Sequence, residues 1–536
     1  MERSDGRLGL LSGAAPLDRR QFLRGVAATG VVASAGGLLA ACSSSSSPTA
    51  KASTISAPKY GGDLKIGLSG STGADTLDPN AIISYLDGAR AQALYQPLAQ
   101  LNNQAVMELV LAEEISPYNN SPSEWIIKLH DDVHFHNGKK LGAEDVIYTF
   151  RRIITGPAFP GKNCLGPMNV NGLKALDPLT VLVPFNSPYA SFYDQLAYWY
   201  YLYIVPDGFN PKQAPNGTGP FVYQSFTPEQ RSVFVKNTNF WKTGEPYVDS
   251  LTIIDFPDTT SLQDALTTGV IDAAGGFDGP QLAALGTASG VTIVPSHSGA
   301  FTPFTMRVDQ APFNDVRVRQ ALRLMVDRPQ LIDSALDGYG VVASDVFSPY
   351  DPDFDHSLHR EQDIPQAKFL LKQAGQENLT LKLVTAPATT GMVEAATVLT
   401  EQAGAAGVTI KLDNVSTPTF FGPKYLSWTF SQDFYTYTPY LTMVATAMLP
   451  TSPFNETHTN SSTLNKLYSQ ANATLDASVR KQIEYEMQEY DFNYGGYIIP
   501  AFSDSLDAYS TKITGYSPSA VGEPLSNFNF EKWYFV

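Results

Sequence analysis

The chain has 536 residues, with 52 acidic against 36 basic side chains, a formal net charge of −16 and two cysteines. This balance opposes binding to nucleic acid, whose phosphates call for a basic face, and suits a soluble head. A chain this long exceeds what one hydrophobic core organises, so several lobes are expected, stabilised by burial.

The first 42 residues follow the order of an export signal: Arg3 and Arg7, then Arg19, Arg20, Gln21, Phe22, Leu23 and Arg24, precede an apolar stretch from Val26 to Ala41. That stretch is shorter than the roughly 20 residues of a spanning helix, and Gly30, Gly36 and Gly37 dilute it, which argues for removal over permanent anchoring. Arg19 and Arg20 followed by Phe22 and Leu23 resemble the twin-arginine export signal, which implies passage across the membrane in folded form. The stretch ends in Leu39, Ala40, Ala41 and Cys42, which resembles a lipobox; the resemblance implies cleavage before Cys42 and diacylglycerol on its sulfur. Each buried methylene of the acyl chains adds about 0.8 kcal/mol of membrane affinity. Residues 43–59, with Ser43 to Ser47 and Pro48, cannot bury enough apolar surface to fold and are expected to form a flexible tether. Acylation of Cys42 would leave Cys164 without an intramolecular disulfide partner.

Beyond the tether, Gly61 to Leu68 alternates apolar and polar residues behind a glycine pair, which predicts a strand, and Leu77-Asp78-Pro79 predicts a turn. Val133 to Gly138 is a short β-rich run closed by Asn137-Gly138, and Gly142-Ala143-Glu144-Asp145-Val146 opens an amphipathic helix to about Ile154. Asp315 is placed to cap a helix in which Val318, Leu322 and Met325 share a face, with Arg317 and Arg319 pointing elsewhere. Ala367 to Gly375 is a second helix stopped by glycine, Leu379 to Val384 a strand, and Asp476 to Tyr490 a charged amphipathic helix.

These blocks, in this order, resemble the extracellular solute-binding proteins of the oligopeptide, dipeptide and nickel importer family. Tyr95-Gln96-Pro97-Leu98, Trp125 to Val146, Gly217-Thr218-Gly219-Pro220-Phe221, Asn239-Phe240-Trp241 and Ala265 to Ala273 each match a family segment. Pro312 to Leu322, closed by Val326-Asp327-Arg328, is nearly the family consensus. The resemblance implies an α/β, two-lobed, Venus-flytrap fold with an extra subdomain inserted in the first lobe. Lobe I would take residues 60–80, 215–300 and 500–536, the insert 81–214 and lobe II 301–500. It further implies the extracytoplasmic substrate-binding component of an ABC importer, working as a monomer with a permease, tied to the cell membrane by its lipid and carrying no cofactor.

Pockets favour lobe interfaces, where two surfaces bury a ligand and a few polar groups orient it. The segment Tyr425 to Met443 interleaves Trp428, Phe434, Tyr435, Tyr437 and Tyr440 with Thr436 and Thr438. In peptide binders of the family the matching segment carries an aspartate for the ligand's α-amino group. Here Tyr437-Thr438-Pro439-Tyr440 replaces that pattern, and no carboxylate stands between Asp433 and Glu456. A buried ammonium without an anion is costly, which favours a sugar, a blocked peptide or another polar-aromatic solute unless Asp433 serves. The candidate ligand contacts are Ser69, Ser71, Trp199, Phe301, Trp428, Tyr435, Tyr437, Thr438 and Tyr440.

His130, His134 and His136 are close in sequence but fall in a structural block of the family, so no metal site is expected there. The chain shows no Gly-x-Ser-x-Gly elbow and no phosphate loop, and Glu144 and Asp145, adjacent on a helix, point about 100° apart, which suits capping. The function expected is capture of a peptide or other small polar or aromatic solute between two lobes. The alternatives are a solute without a free amine, a ligand sensor for a partner, and, last, a secreted hydrolase.

Overall fold

The computed structural model describes residues 57–71, 73–157 and 159–536. Arg19, Arg20, Phe22, Leu23 and Cys42, and the tether up to residue 56, lie outside the described residues.

The strand expected at Gly61 to Leu68 runs Asp63–Ser69, with Leu64, Ile66 and Leu68 buried. It lies inside a large mixed sheet whose spatial order is Val291–Phe301, Ala501–Ser510, Ala273–Gly275, Asp63–Ser69, Ser250–Phe256, Arg231–Lys236, Phe221–Thr227. Asp63–Ser69 is parallel to both of its neighbours, and the remaining pairs are antiparallel. The short strand Gly340–Val342 joins the sheet through Ala501–Ser510.

Two of these strands leave the sheet side by side. Val291–Phe301 continues into Phe304–Met306, and Tyr497–Ile498 leads back into Ala501–Ser510, with Phe301 opposite Phe502 and Phe304 opposite Ile498. Phe304–Met306 also pairs with Phe430–Gln432, so the crossing strands open a second, three-stranded sheet. Around it pack the helices Val316–Leu324, Ile364–Gln373 and Met392–Gly404 and the parallel pair Thr380–Thr385 and Thr409–Asn414, over a core holding Phe304, Met306, Val318, Leu322, Met325 and Phe430. A separate four-stranded antiparallel sheet, Ala112–Pro117, Glu124–Leu129, Thr180–Pro184 and Lys174–Asp177, packs on the helix Ala143–Thr155. The fold is thus α/β in two lobes joined by crossing strands.

Local chemistry explains the element ends. Asp315 accepts the Arg317 backbone N–H at 2.9 Å, satisfying an orphan donor of the first turn. Arg317 points outward, but Arg319 is buried, and its guanidinium donates to the carbonyls of Phe313, Tyr494 and Gly495. Its aliphatic stem packs while its fork stitches the helix to the end of Ala477–Tyr494. Asp145 caps its own helix, accepting the Gly142 N–H at 3.0 Å, and also accepts the Asp207 N–H at 2.8 Å. The Gly217-Thr218-Gly219 turn presses on the end of helix Tyr85–Leu94: a Cβ on Gly217 would lie 2.0 Å from the Leu94 carbonyl oxygen.

Candidate functional site

The two lobes meet around a cavity of about 130 Å³. The large sheet contributes Ser298, Ala300 and Phe301 from one crossing strand and Ser503 to Leu506 from the other, with Gly276, Phe277, Gly522 and Pro524 from adjoining turns. The second lobe contributes Leu336, Asp337 and Tyr339, then Thr389 and Thr390, then Phe434, Tyr435 and Thr436. A wider groove of about 550 Å³ lies over Glu113, Glu114, Lys128 and His130, but its lining comes from residues 109–130 alone. Of these two, the junction cavity combines walls from both lobes with aromatic rings and converging polar groups, the usual composition of a small-molecule site. Its volume is below the ~300–1,000 Å³ of ordinary ligand pockets, so entry of a larger solute requires the lobes to part.

Phe301 and Tyr435 define one wall. Each donates its backbone N–H to the other's carbonyl at 2.9 Å, and their rings stack with centroids 5.4 Å apart. Phe347 also stacks on Phe301 at 6.2 Å, and Phe502 meets it edge-on at 6.3 Å. The crossing strands and the aromatic segment are thereby locked together, each aromatic pair adding about 0.5–1.5 kcal/mol beyond area burial.

Behind Tyr435 lies a buried acid pair. Its hydroxyl donates to Glu456, which also accepts the Tyr497 hydroxyl at 2.6 Å. Asp433 accepts the Tyr425 hydroxyl at 2.8 Å and the Phe434 N–H at 2.8 Å, and the two carboxyls hydrogen-bond to each other. Burial pushes both carboxyls up, Glu456 further because Asp433 lies beside it. This network fixes the orientation of the Tyr435 ring.

Of the candidate contacts, Phe301 and Tyr435 line the cavity. Tyr437 does not: it is 2% exposed, donates its N–H to the Val521 carbonyl at 2.9 Å and packs its ring on Gly299. Thr438 is buried, its carbonyl accepting the Ser348 hydroxyl at 2.7 Å. Tyr440 begins the helix Tyr440–Ala447 with its ring stacked on Phe347 at 5.0 Å and its hydroxyl donating to Asp491 at 3.0 Å. Trp428 belongs to an outlying cluster, stacked on Phe420 and donating its indole N–H to the Phe420 carbonyl at 3.2 Å. Ser69 and Ser71 stand half-buried at the end of the first strand, outside the lining. Trp199 opens the turn Trp199–Tyr201.

The acidic residues of the site come from elsewhere in the chain. Asp337 sits in the left-handed region at φ +51°, and a Cβ on Gly279 would lie 2.3 Å from its Cβ, so a glycine is needed for this approach between the lobes. Asp504, on the returning strand, pairs with His297 at 2.8 Å. Glu523, between Gly522 and Pro524, is 5% exposed, is hydrogen-bonded to the Thr436 side chain and is pushed up to about 8 by burial. The cavity wall is therefore more acidic than the segment Tyr425 to Met443 suggests. Sequence reasoning missed these groups because each stands in an ordinary turn or strand.

His136 lodges between the carbonyl of Gly219 and the N–H of Gly217, and burial pushes it down to about 4. The His134 ring contacts the Asp132 carbonyl at 3.0 Å, so these two histidines serve local structure. Cys164 is buried, its thiol pushed up to about 12 by burial, which leaves no reactive thiolate.

The profile of the bacterial extracellular solute-binding proteins, family 5, matches residues 107–464. The chain belongs to this family. A nickel-binding periplasmic protein of Escherichia coli (strain K12) is 32% identical over 297 residues, 53% of this chain and 56% of that protein. The glutathione-binding protein GsiB of the same strain is 28% identical over 308 residues, 56% of this chain and 60% of that protein. The chain thus spans less than two thirds of the length of these curated relatives. Among solved structures, the periplasmic binding protein DppA from Helicobacter pylori in complex with the peptide STSA aligns with a TM-score of 0.75 at 20% identity, covering 89% of this chain and 98% of that one. That likeness establishes the two-lobed fold.

Proposed function

We propose that this family member is the substrate-binding component of an ABC importer, capturing a peptide or other small polar or aromatic solute between its lobes. The observation that carries the reading is the junction cavity, lined from both lobes by Phe301, Tyr435 and a ring of hydroxyls and carboxylates. A solute touching both walls stabilises the closed arrangement, because only differential affinity shifts a two-state equilibrium. Relatives named for nickel, glutathione and peptide binding support a capture role in which the protein performs no chemistry. The lobe limits proposed are residues 60–80, 215–300 and 500–536 for lobe I, 81–214 for the insert and 301–500 for lobe II.

The N-terminal signal supports export through the twin-arginine route and anchoring at the outer face of the cytoplasmic membrane by lipid on Cys42. Among the described residues no helix is long and apolar enough to cross a membrane. The head would work as a monomer with a membrane permease. Mass spectrometry of solutes that co-purify with the protein tests the capture role. A stoichiometric solute whose addition raises the melting temperature supports it, whereas turnover of that solute into a product rules it out. Fractionation of Cys42→Ala tests the anchor: the variant moves to the soluble extracytoplasmic fraction, and its retention on the membrane would exclude lipid anchoring at this residue.

A further inference from the structure

The charge on the cavity wall limits what the cavity accepts. Asp337 and Asp504 line it, and no lysine or arginine is among its lining residues. Glu523 stands in the same wall, between the lining residues Gly522 and Pro524 and hydrogen-bonded to the lining residue Thr436. The segment that carries it is laid against both lobes: the Ala520 carbonyl accepts the Gly299 N–H at 2.9 Å and the Val521 carbonyl accepts the Tyr437 N–H at 2.9 Å. Gly522, at φ +93°, lets the turn close on the crossing strand, since a Cβ there would lie 2.7 Å from the Cβ of Ala300. The position of Glu523 is therefore set by backbone contacts before any solute arrives.

We propose that Glu523 is the specificity residue of this cavity, pairing with an ammonium or guanidinium group of a cationic solute; the proposal rests on the junction cavity being the solute site. Two other buried acidic groups near the second sheet already have ionic or carboxyl partners: Asp345 pairs with Arg328 and Arg360, and Asp433 and Glu456 hydrogen-bond to each other among tyrosine hydroxyls. The groups facing Glu523 are Tyr85 from the helix Tyr85–Leu94, Tyr200 and Tyr201 from the turn that follows Tyr198, Tyr203 just beyond, and Thr436 from the second lobe. The tyrosines offer ring faces, which suit a cation but do not neutralise a carboxylate. A solute ammonium entering here converts a costly buried acid into a charge-assisted hydrogen bond. Burial holds Glu523 protonated up to about 8, so capture of a permanently charged guanidinium strengthens as the pH rises through that range.

The test presents the full chain, extracted from membranes, and its Glu523→Gln variant with an equimolar pool of diamines, guanidino compounds and dipeptides with free amino termini, their N-acetylated counterparts, dicarboxylates and neutral sugars. Retained compounds are identified by mass spectrometry. The expected result is retention of cationic members, weakened about tenfold or more in Glu523→Gln, as loss of a charge-assisted hydrogen bond entails. The pH dependence above disappears with it. Retention of acetylated, neutral or anionic members, or equal retention of cations by both proteins, overturns the proposal and leaves the solute-binding reading intact. Retention of nothing by either protein overturns that reading and the proposal together. Should Glu523→Gln fail to fold, competition between each cation and its N-acetylated counterpart on the unaltered protein decides the matter.

Discussion

Tyr435 and Tyr440 belong to one aromatic segment, yet the first faces the junction cavity and the second is sealed in a core under Phe347 and against Asp491. Their residue types gave no means of separating them. What separates them is the chain's change of course at Pro439, where extended backbone paired to Phe301 gives way to the helix Tyr440–Ala447. Tyr440→Phe removes the hydroxyl that donates to the buried Asp491 and is expected to destabilise the protein by roughly 1–3 kcal/mol in denaturant unfolding. Solute affinity is expected to stay unchanged, because the ring does not reach the cavity; a large loss of affinity without loss of stability would contradict this placement. The place of Phe301 in the cavity wall was legible because it stood at the expected lobe crossing. Asp337, Asp504 and Glu523 were not, since they come from turns and strands far apart in sequence that meet only when the lobes form.

At the scale of elements, the sequence carried most of the plan. The alternation in Gly61 to Leu68, the cap Asp315, the helix start at Asp476 and the stop at Gly375 fall within a few residues of the observed ends. Local spacing failed at Arg319, where the deciding partners are the carbonyls of Tyr494 and Gly495 on a distant helix end. The Gly217-Thr218-Gly219 turn shows how an element junction depends on close approach. Gly217→Ala places a methyl against the Leu94 carbonyl, which is backbone and cannot swing away, and the expected cost is about 1–3 kcal/mol or more. A melting temperature unchanged in Gly217→Ala would show that the helix Tyr85–Leu94 can yield at its end.

Across the whole molecule, buried acids set the pH response. Burial pushes Asp194, Asp491 and Asp507 up to about 7, Glu523 to about 8 and Glu484 to about 9. Glu484 is raised further by the neighbouring carboxyls of Asp351, Asp194 and Asp353. Because these folded-state values lie above the unfolded ones, the folded chain holds more protons, and the stability they confer is lost as the pH rises from about 4 through about 9. Asp345, held low by Arg328 and Arg360 despite its burial, acts oppositely and loses its contribution only in acid. The melting temperature is therefore expected to be roughly 3–5 °C higher near pH 5.5 than near pH 8.5. A maximum above pH 8 would show that these carboxyls are ionised in the folded state. None of this was visible in the net charge, which counts acids without saying which are buried.

Closure of the two lobes on a solute at the junction of the crossing strands is measured by small-angle X-ray scattering with and without the solute that co-purifies. The radius of gyration is expected to fall with the solute bound, and that compaction to be lost in Tyr435→Ala. A solute that binds tightly while leaving the scattering profile unchanged would contradict closure.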